Sequence, residues 1–209
     1  MDQSYSPFSL NPKSLLEGIS HLVKMDTDLA KVIFDLGDPP LWSREPGFPT
    51  MIHIILEQQV SLASARAAFI KLEESVGQLT PERFLEFTDG ELKGIGFSKQ
   101  KTLYSRELSK AILKNELDLG ELSNLDDTSA RNELMKIKGI GPWTADIYLL
   151  MALLRPDIWP SGDLALAKAA QKIKNLSSIP SAEVLDEIAV QWKPWRAVAA
   201  RVLWQYYLN

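Results

Sequence analysis

Apolar residues recur along this chain at helical spacing in one segment after another. Leu15, Leu16, Ile19, Leu22 and Val23 mark an amphipathic helix, and Thr27 is placed to cap a short one ending at Gly37. Asp38 to Thr50, reading DPPLWSREPGFPT, is too rich in proline for a helix and predicts a loop. Ile52, Ile55 and Leu56 then open an apolar helix that runs to about Gln58. Ser61 reads as the cap of the next helix, which turns Ala65, Ala68, Phe69 and Leu72 inward and stops at Gly77. Thr80-Pro81 is a cap followed by proline at the first helical position. Ser98 caps a helix reaching Lys114, and Pro142 opens another that continues to Leu154. Later helices are predicted over Asp163 to Ile173, Ala182 to Gln191 and Pro194 to Tyr207. No alternation is sustained enough for a sheet. The fold class is all-α.

One tetrapeptide occurs twice between helical stretches, as Lys93-Gly94-Ile95-Gly96 and as Lys138-Gly139-Ile140-Gly141. Two glycines around one apolar residue suit a tight turn, with the isoleucine plugging the gap between helices. Such a turn also presents backbone N–H groups at the start of the following helix, a small positive concavity for a phosphate oxygen. A plain helix–helix turn is the commoner use of this pattern. The second copy is the stronger phosphate candidate, because Pro142 fixes the helix entry. No Gly-Lys-Ser/Thr follows, so a nucleotide-triphosphate loop is excluded.

The 209 residues suffice for one large domain or two small lobes. With no cysteine, there is no disulfide, cysteine nucleophile or cysteine-held cluster. His21 and His53 are the sole histidines, which leaves little for a metal site, and both are expected to pack or face solvent. The opening residues lack a signal-peptide pattern and no apolar run reaches a membrane span, so a cytoplasmic protein without membrane contact is expected. The net charge of −4 argues against a polyanionic partner until its distribution is considered. Residues 1–92 hold 7 basic and 14 acidic side chains, residues 93–209 hold 16 and 13. The second half therefore stays a candidate nucleic-acid face.

The stretch from Leu134 to Asp163, LMKIKGIGPWTADIYLLMALLRPDIWPSGD, resembles the helix-hairpin-helix, Gly/Pro-rich loop and aspartate of the HhH-GPD superfamily of DNA glycosylases. Three further pieces are similar to its alkylation-repair branch, the AlkA-like 3-methyladenine DNA glycosylase II family: Ile55 to Ser61, Gly96 to Lys101, and Lys193-Pro194-Trp195-Arg196 running on to Trp204. The resemblance implies a two-lobed fold with the active cleft between the lobes, in the compact form without an N-terminal β-rich lobe. Lobe A would cover about residues 38–155, with the hairpin at 134–154. Lobe B would take 1–37 and 156–209. Residues 1–13 have no role assigned.

On that resemblance Asp163 is the catalytic carboxylate. Read from its neighbours alone it is an N-cap, and one side chain can serve both uses, since a helix N-terminus favours negative charge. A carboxylate stabilises positive charge developing on a sugar and can orient or deprotonate water. Trp143 stands where strand-cutting relatives place a Schiff-base lysine. Its presence implies a monofunctional enzyme that leaves an abasic site. Trp143 and Trp204 match aromatic positions of the base pocket, where an electron-rich ring suits a cationic alkylated purine; core packing is the plainer use of either. Ile147 departs from relatives that have tyrosine there. Gln59 matches the side chain wedged into the gap left by a flipped nucleotide, or else simply ends a helix. Lys138, Gly139, Ile140 and Gly141, with Ser98 and Lys99, are implied to grip the DNA backbone, and Lys101 and Lys136 are further candidates. A cation on hairpin backbone carbonyls is a family option; no cofactor is expected. The partner is double-stranded DNA with alkylated bases such as 3-methyladenine or 7-methylguanine, met by a monomer that associates with the nucleoid in a bacterium. Two rivals stand beside this reading: a glycosylase for deaminated or oxidised bases, and a lesion-binding module without catalysis.

Overall fold

The computed structural model describes residues 9–209, and every regular element among them is helical. In chain order these are α1 (Pro12–Met25), α2 (Thr27–Leu36), α3 (Phe48–Glu57), α4 (Leu62–Val76), α5 (Pro81–Glu86), α6 (Asp89–Ile95) and α7 (Lys99–Leu113). They continue as α8 (Asp127–Met135), α9 (Pro142–Met151), α10 (Leu164–Ile173), α11 (Ala182–Ala189) and α12 (Arg196–Leu208). Short 3₁₀ turns cover Glu121–Asn124 and Val190–Trp192. The chain divides into two compact units: Arg44–Tyr148, and the two chain ends, Met1–Ser43 with Leu149–Asn209.

In the unit built from the chain ends, α12 is apolar nearly all round, with every residue from Ala197 to Gln205 buried. It packs against α10, α2 and α1. Gly18 lets α1 approach closely, since a Cβ there would lie 2.8 Å from the Trp195 ring and 2.9 Å from Val198. Arg201 is fully buried and gives its guanidinium to three carbonyls, those of Leu41 (2.8 Å), Leu150 (2.9 Å) and Ala197 (2.9 Å). Burial pushes its pKa down to about 9, which leaves it cationic at neutral pH. Asp26, rather than Thr27, caps α2, accepting from the N–H groups of Asp28 (3.0 Å) and Leu29 (3.2 Å). It also accepts from Lys174 Nζ at 2.9 Å and Trp192 Nε1 at 2.8 Å. Burial opposes its ionisation, but these donors outweigh that and hold the carboxyl below its ordinary value. Of the first thirteen residues, 1–8 lie outside those described. Ser9 and Leu10 bond to the carbonyls of Leu153 and Leu154, and Asn11 caps α1 in a capping box.

In the unit Arg44–Tyr148, α3 is the central element, with seven of its ten residues buried. Phe48, Phe87 and Phe97 gather round Phe84. The proline-rich loop ends earlier than its sequence suggests: Gly47 precedes the first turn of α3, and Pro49, which needs no N–H there, is helical. The buried Tyr148 hydroxyl accepts from Gly47 N–H at 2.9 Å and fixes that entry. Burial raises the Tyr148 pKa to about 12.

Candidate active site and nucleic-acid interface

In the unit formed by the chain ends, the segment after α9 is fastened before it reaches Asp163. Arg155 N–H bonds to Leu149 O at 3.0 Å. Asp157 takes a two-pronged ion pair from Arg196, at 2.9 and 2.8 Å, and Pro156 O accepts from Ala197 N–H at 3.0 Å. The Pro-Trp-Arg piece of the sequence thus ties the loop to α12. A tight turn follows, with Gly162 at φ +78, and α10 begins. Asp163 is its N-cap: one carboxylate oxygen accepts from Leu166 N–H at 3.0 Å and from Trp204 Nε1–H at 3.3 Å. Cap and candidate catalytic carboxylate are therefore the same group. Trp204 is buried, 9% exposed, and meets Asp163 through its N–H edge.

In the other unit, α8 and α9 are the two helices of a hairpin. Arg131 of α8 reaches the buried Asp146 of α9 at 2.7 Å across it. Ile137 and Ile140 are buried in the turn, whereas Lys138 is exposed. Gly139 has φ +94, and a Cβ there would fall inside the Tyr104 ring of α7, so both backbone and packing require glycine. Trp143, half-buried, stands in the first turn of α9. Ile147 is buried among core residues.

The end of α3 is joined to this hairpin. Gln58 Nε2 donates to Gly139 O at 3.0 Å and to Thr144 Oγ1 at 2.9 Å. Gln59, the next residue, is exposed and left-handed at φ +56, a conformation uncommon for a residue with a Cβ. The structure thus brings Gln59 and the hairpin together through Gln58, a link that the repeated glutamine hints at and its sequence cannot specify. Glu57, buried, takes both guanidinium nitrogens of Arg44 (3.1 and 2.7 Å). His53 stacks on Phe69 at 4.4 Å, and burial lowers its pKa.

Ser98 caps α7 and is exposed together with Lys99. Lys101 is not a backbone grip: it is buried, and its ammonium is spent on Leu56 O at 2.6 Å, in the last turn of α3. Burial pushes its pKa down. Lys136 is exposed and paired with Glu133 at 2.6 Å. The two Lys-Gly-Ile-Gly copies also differ from the shared turn expected of them, since Lys93, Gly94 and Ile95 belong to α6. The carbonyls of Leu134, Ile137, Gly139 and Gly141 accept from Ile137, Ile140, Gln58 and Ala145. Each of these oxygens takes a donor, three from within the hairpin and one from Gln58 at the end of α3, and no cluster of three or more acidic or histidine side chains suited to a metal occurs among the described residues.

The HhH-GPD superfamily of base excision DNA repair proteins matches residues 52–194, and the chain belongs to it. The DNA-3-methyladenine glycosylase of Bacillus subtilis is 28% identical over 163 residues, 72% of this chain and 54% of its own length. The alkylbase DNA glycosidase-like protein mag2 of Schizosaccharomyces pombe is 28% identical over 192 residues, 88% of this chain and 90% of its own. The chain spans 65% and 54% of the two Bacillus subtilis relatives it matches. Among solved structures, the 3-methyladenine DNA glycosylase Mag1 of Schizosaccharomyces pombe in complex with abasic DNA superposes with a TM-score of 0.86 at 25% identity, covering 90% of this chain and 95% of that one.

Proposed function

We propose that this protein is a monofunctional DNA glycosylase that removes alkylated purines, of the 3-methyladenine and 7-methylguanine type, from double-stranded DNA. The observation that carries the reading is Asp163, a carboxylate held at a helix N-terminus by the Leu166 and Trp204 N–H groups. A group fixed in this way costs no reorganisation when positive charge grows on the sugar. An alkylated purine already bears positive charge, so it departs without a strong general acid. Base lability then does part of the selection. Trp143 supplies a ring face and no amine, so no Schiff base forms and the strand stays intact. Gln59 fills the gap of the flipped nucleotide, and Lys138 to Gly141 with Ser98 and Lys99 hold the backbone. The protein acts as a monomer.

Incubation with methylated DNA, followed by identification of the released bases, tests this. Release of 3-methyladenine or 7-methylguanine without strand cleavage is expected. Release of only deaminated or oxidised bases would refute the substrate class, and strand scission would refute monofunctionality. Asp163→Asn is expected to slow release by about 10²–10³-fold while DNA affinity is retained.

A further inference from the structure

The loop that delivers Asp163 is fastened twice by one carboxylate that belongs to none of the motifs. Asp186, half-buried on α11, accepts Trp159 Nε1–H on one oxygen at 3.0 Å and the Ser161 hydroxyl on the other at 2.7 Å. These donors sit four and two residues before Asp163, on either side of Pro160. The loop's own bonds are short-range: Ser161 N–H to Trp159 O at 2.9 Å and Asp163 N–H to Pro160 O at 3.2 Å. Between Ser161 and Asp163 lies Gly162 alone, left-handed and with nothing within 4 Å of where a Cβ would be. That glycine is a joint without side-chain support, so the approach of the chain to Asp163 is set by what grips Ser161 and Trp159. Trp159 also leans on Trp192, ring centres 5.4 Å apart and planes tilted by 60°, while its N–H goes to Asp186.

We propose that Asp186 is a positioning residue for Asp163, holding the loop so that the carboxylate stands where the sugar will be. This rests on the catalytic reading of Asp163 given above. A charged acceptor taking two neutral donors makes stronger bonds than a neutral one, and both of its oxygens are used. Displacements near 1 Å at a reacting group cost up to about 10²-fold in rate, the scale of error that a loosened loop produces.

The test compares single-turnover base release from methylated DNA with affinity for abasic-site DNA in the full-length protein. Asp186→Ala is expected to slow release by about 10–100-fold with affinity unchanged. Asp186→Asn should recover most of the rate, because its amide oxygen still accepts from Trp159 and its NH₂ can donate to the Ser161 hydroxyl. A wild-type rate for Asp186→Ala overturns the proposal. So does a parallel loss of rate, affinity and thermal midpoint that Asp186→Asn fails to repair, since that is plain loss of structure. Should Asp186→Ala not fold, Ser161→Ala and Trp159→Phe each remove one fastening, and wild-type rates in both would overturn it equally. Asp163→Asn, run alongside, separates the two ideas: full activity there defeats the catalytic reading itself, whereas an inactive Asp163→Asn beside an active Asp186→Ala defeats only the positioning role. Amide exchange gives a readout free of activity. Residues 161–164 should exchange faster in Asp186→Ala, and unchanged exchange counts against the fastening.

Discussion

Lys93 to Gly96 and Lys138 to Gly141 are the same four amino acids in the same order, lying in one unit of the molecule, with different backbones. In the first copy three residues complete α6 and the last, Gly96, turns left-handed at φ +126. The Gly96 and Phe97 N–H groups both fold back on Leu92 O, at 3.1 and 2.9 Å, as at a glycine-terminated helix end. In the second copy the left-handed glycine is the earlier one, Gly139, and the tetrapeptide is the turn of the hairpin. What differs is the flanks. Thr88 and Glu91 form a capping box that starts α6 just ahead of the first copy, so the helix runs into it. Ahead of the second, Lys136 and Ile137 bond back only three residues, to Glu133 and Leu134, and α8 is already finished. Pro142 then imposes a new helix start. A short motif is a set of permissions, and the neighbouring caps decide which is used.

The largest expected effect is at the glycine whose exemption from a side chain is used twice over. Gly139→Ala must adopt φ +94 and displace Tyr104, a combined cost of about 2–4 kcal/mol. Gly141→Ala has open space and no left-handed backbone, and should be nearly neutral. Urea unfolding of both variants checks this. Equal stability would mean that the hairpin turn is not fixed as described.

The first copy should answer in the opposite sense at the matching positions. Gly94 is inside a helix with nothing within 4 Å, so Gly94→Ala is expected to stabilise by about 0.5–1 kcal/mol. Gly96→Ala, strained at its φ and with Ala68 Cβ at 3.1 Å, should cost about 1–2 kcal/mol. If Gly94→Ala destabilised as Gly139→Ala does, the two copies would share one conformation and the contrast would fail.

This contrast also marks where the sequence is readable. Ser61, Thr80 and Ser98 are caps as their local pattern says, because a cap is settled within three residues. Asp163 is legible for the same reason. Thr27 is displaced as a cap by Asp26, whose carboxylate also answers Lys174 and Trp192, roughly 150 residues away in the chain. Lys101 carries an ordinary basic pattern, and its burial against Leu56 O follows from helix packing that no local spacing reveals. Gln58 and Asp186 are of the same kind. Each acts through a partner distant in sequence, and chemistry-bearing residue types elsewhere in the chain look no different.

A difference in binding should accompany the difference in backbone. On the proposed DNA-binding mode Lys138 lies in the gripping turn, so Lys138→Ala should flatten the slope of log K against log salt by about 0.9. Lys93, equally exposed, belongs to α6, and Lys93→Ala should leave the slope unaltered. Titration of abasic-site duplex at several salt concentrations measures both. Equal slopes for the two variants would remove the second copy's claim to the phosphate contact.

The smallest effect sits at the capping box that sends the first copy into a helix. Glu91 accepts from Thr88 N–H at 2.7 Å and from the Thr88 hydroxyl at 2.8 Å, and these bonds hold its carboxyl below its ordinary value. The unfolded chain therefore takes up the proton more readily than the folded one. The stabilisation is complete above about pH 4.5, the unperturbed value, and fades as pH falls through the lower folded-state value. Glu91→Gln keeps an acceptor for Thr88 but cannot titrate. Its stability difference from the parent should shrink as pH is lowered from 6 towards 3, and the amide protection factors at Gly94 and Ile95, which compare exchange with the free-chain rate at each pH, should fall over the same interval in the parent. The second copy has no such dependence on Glu91, so exchange in the Ile137 to Gly141 turn should be the same in parent and variant at each pH. A turn that responded with α6 would mean that the two copies are coupled through their common unit, and that flanking caps alone do not account for their different shapes.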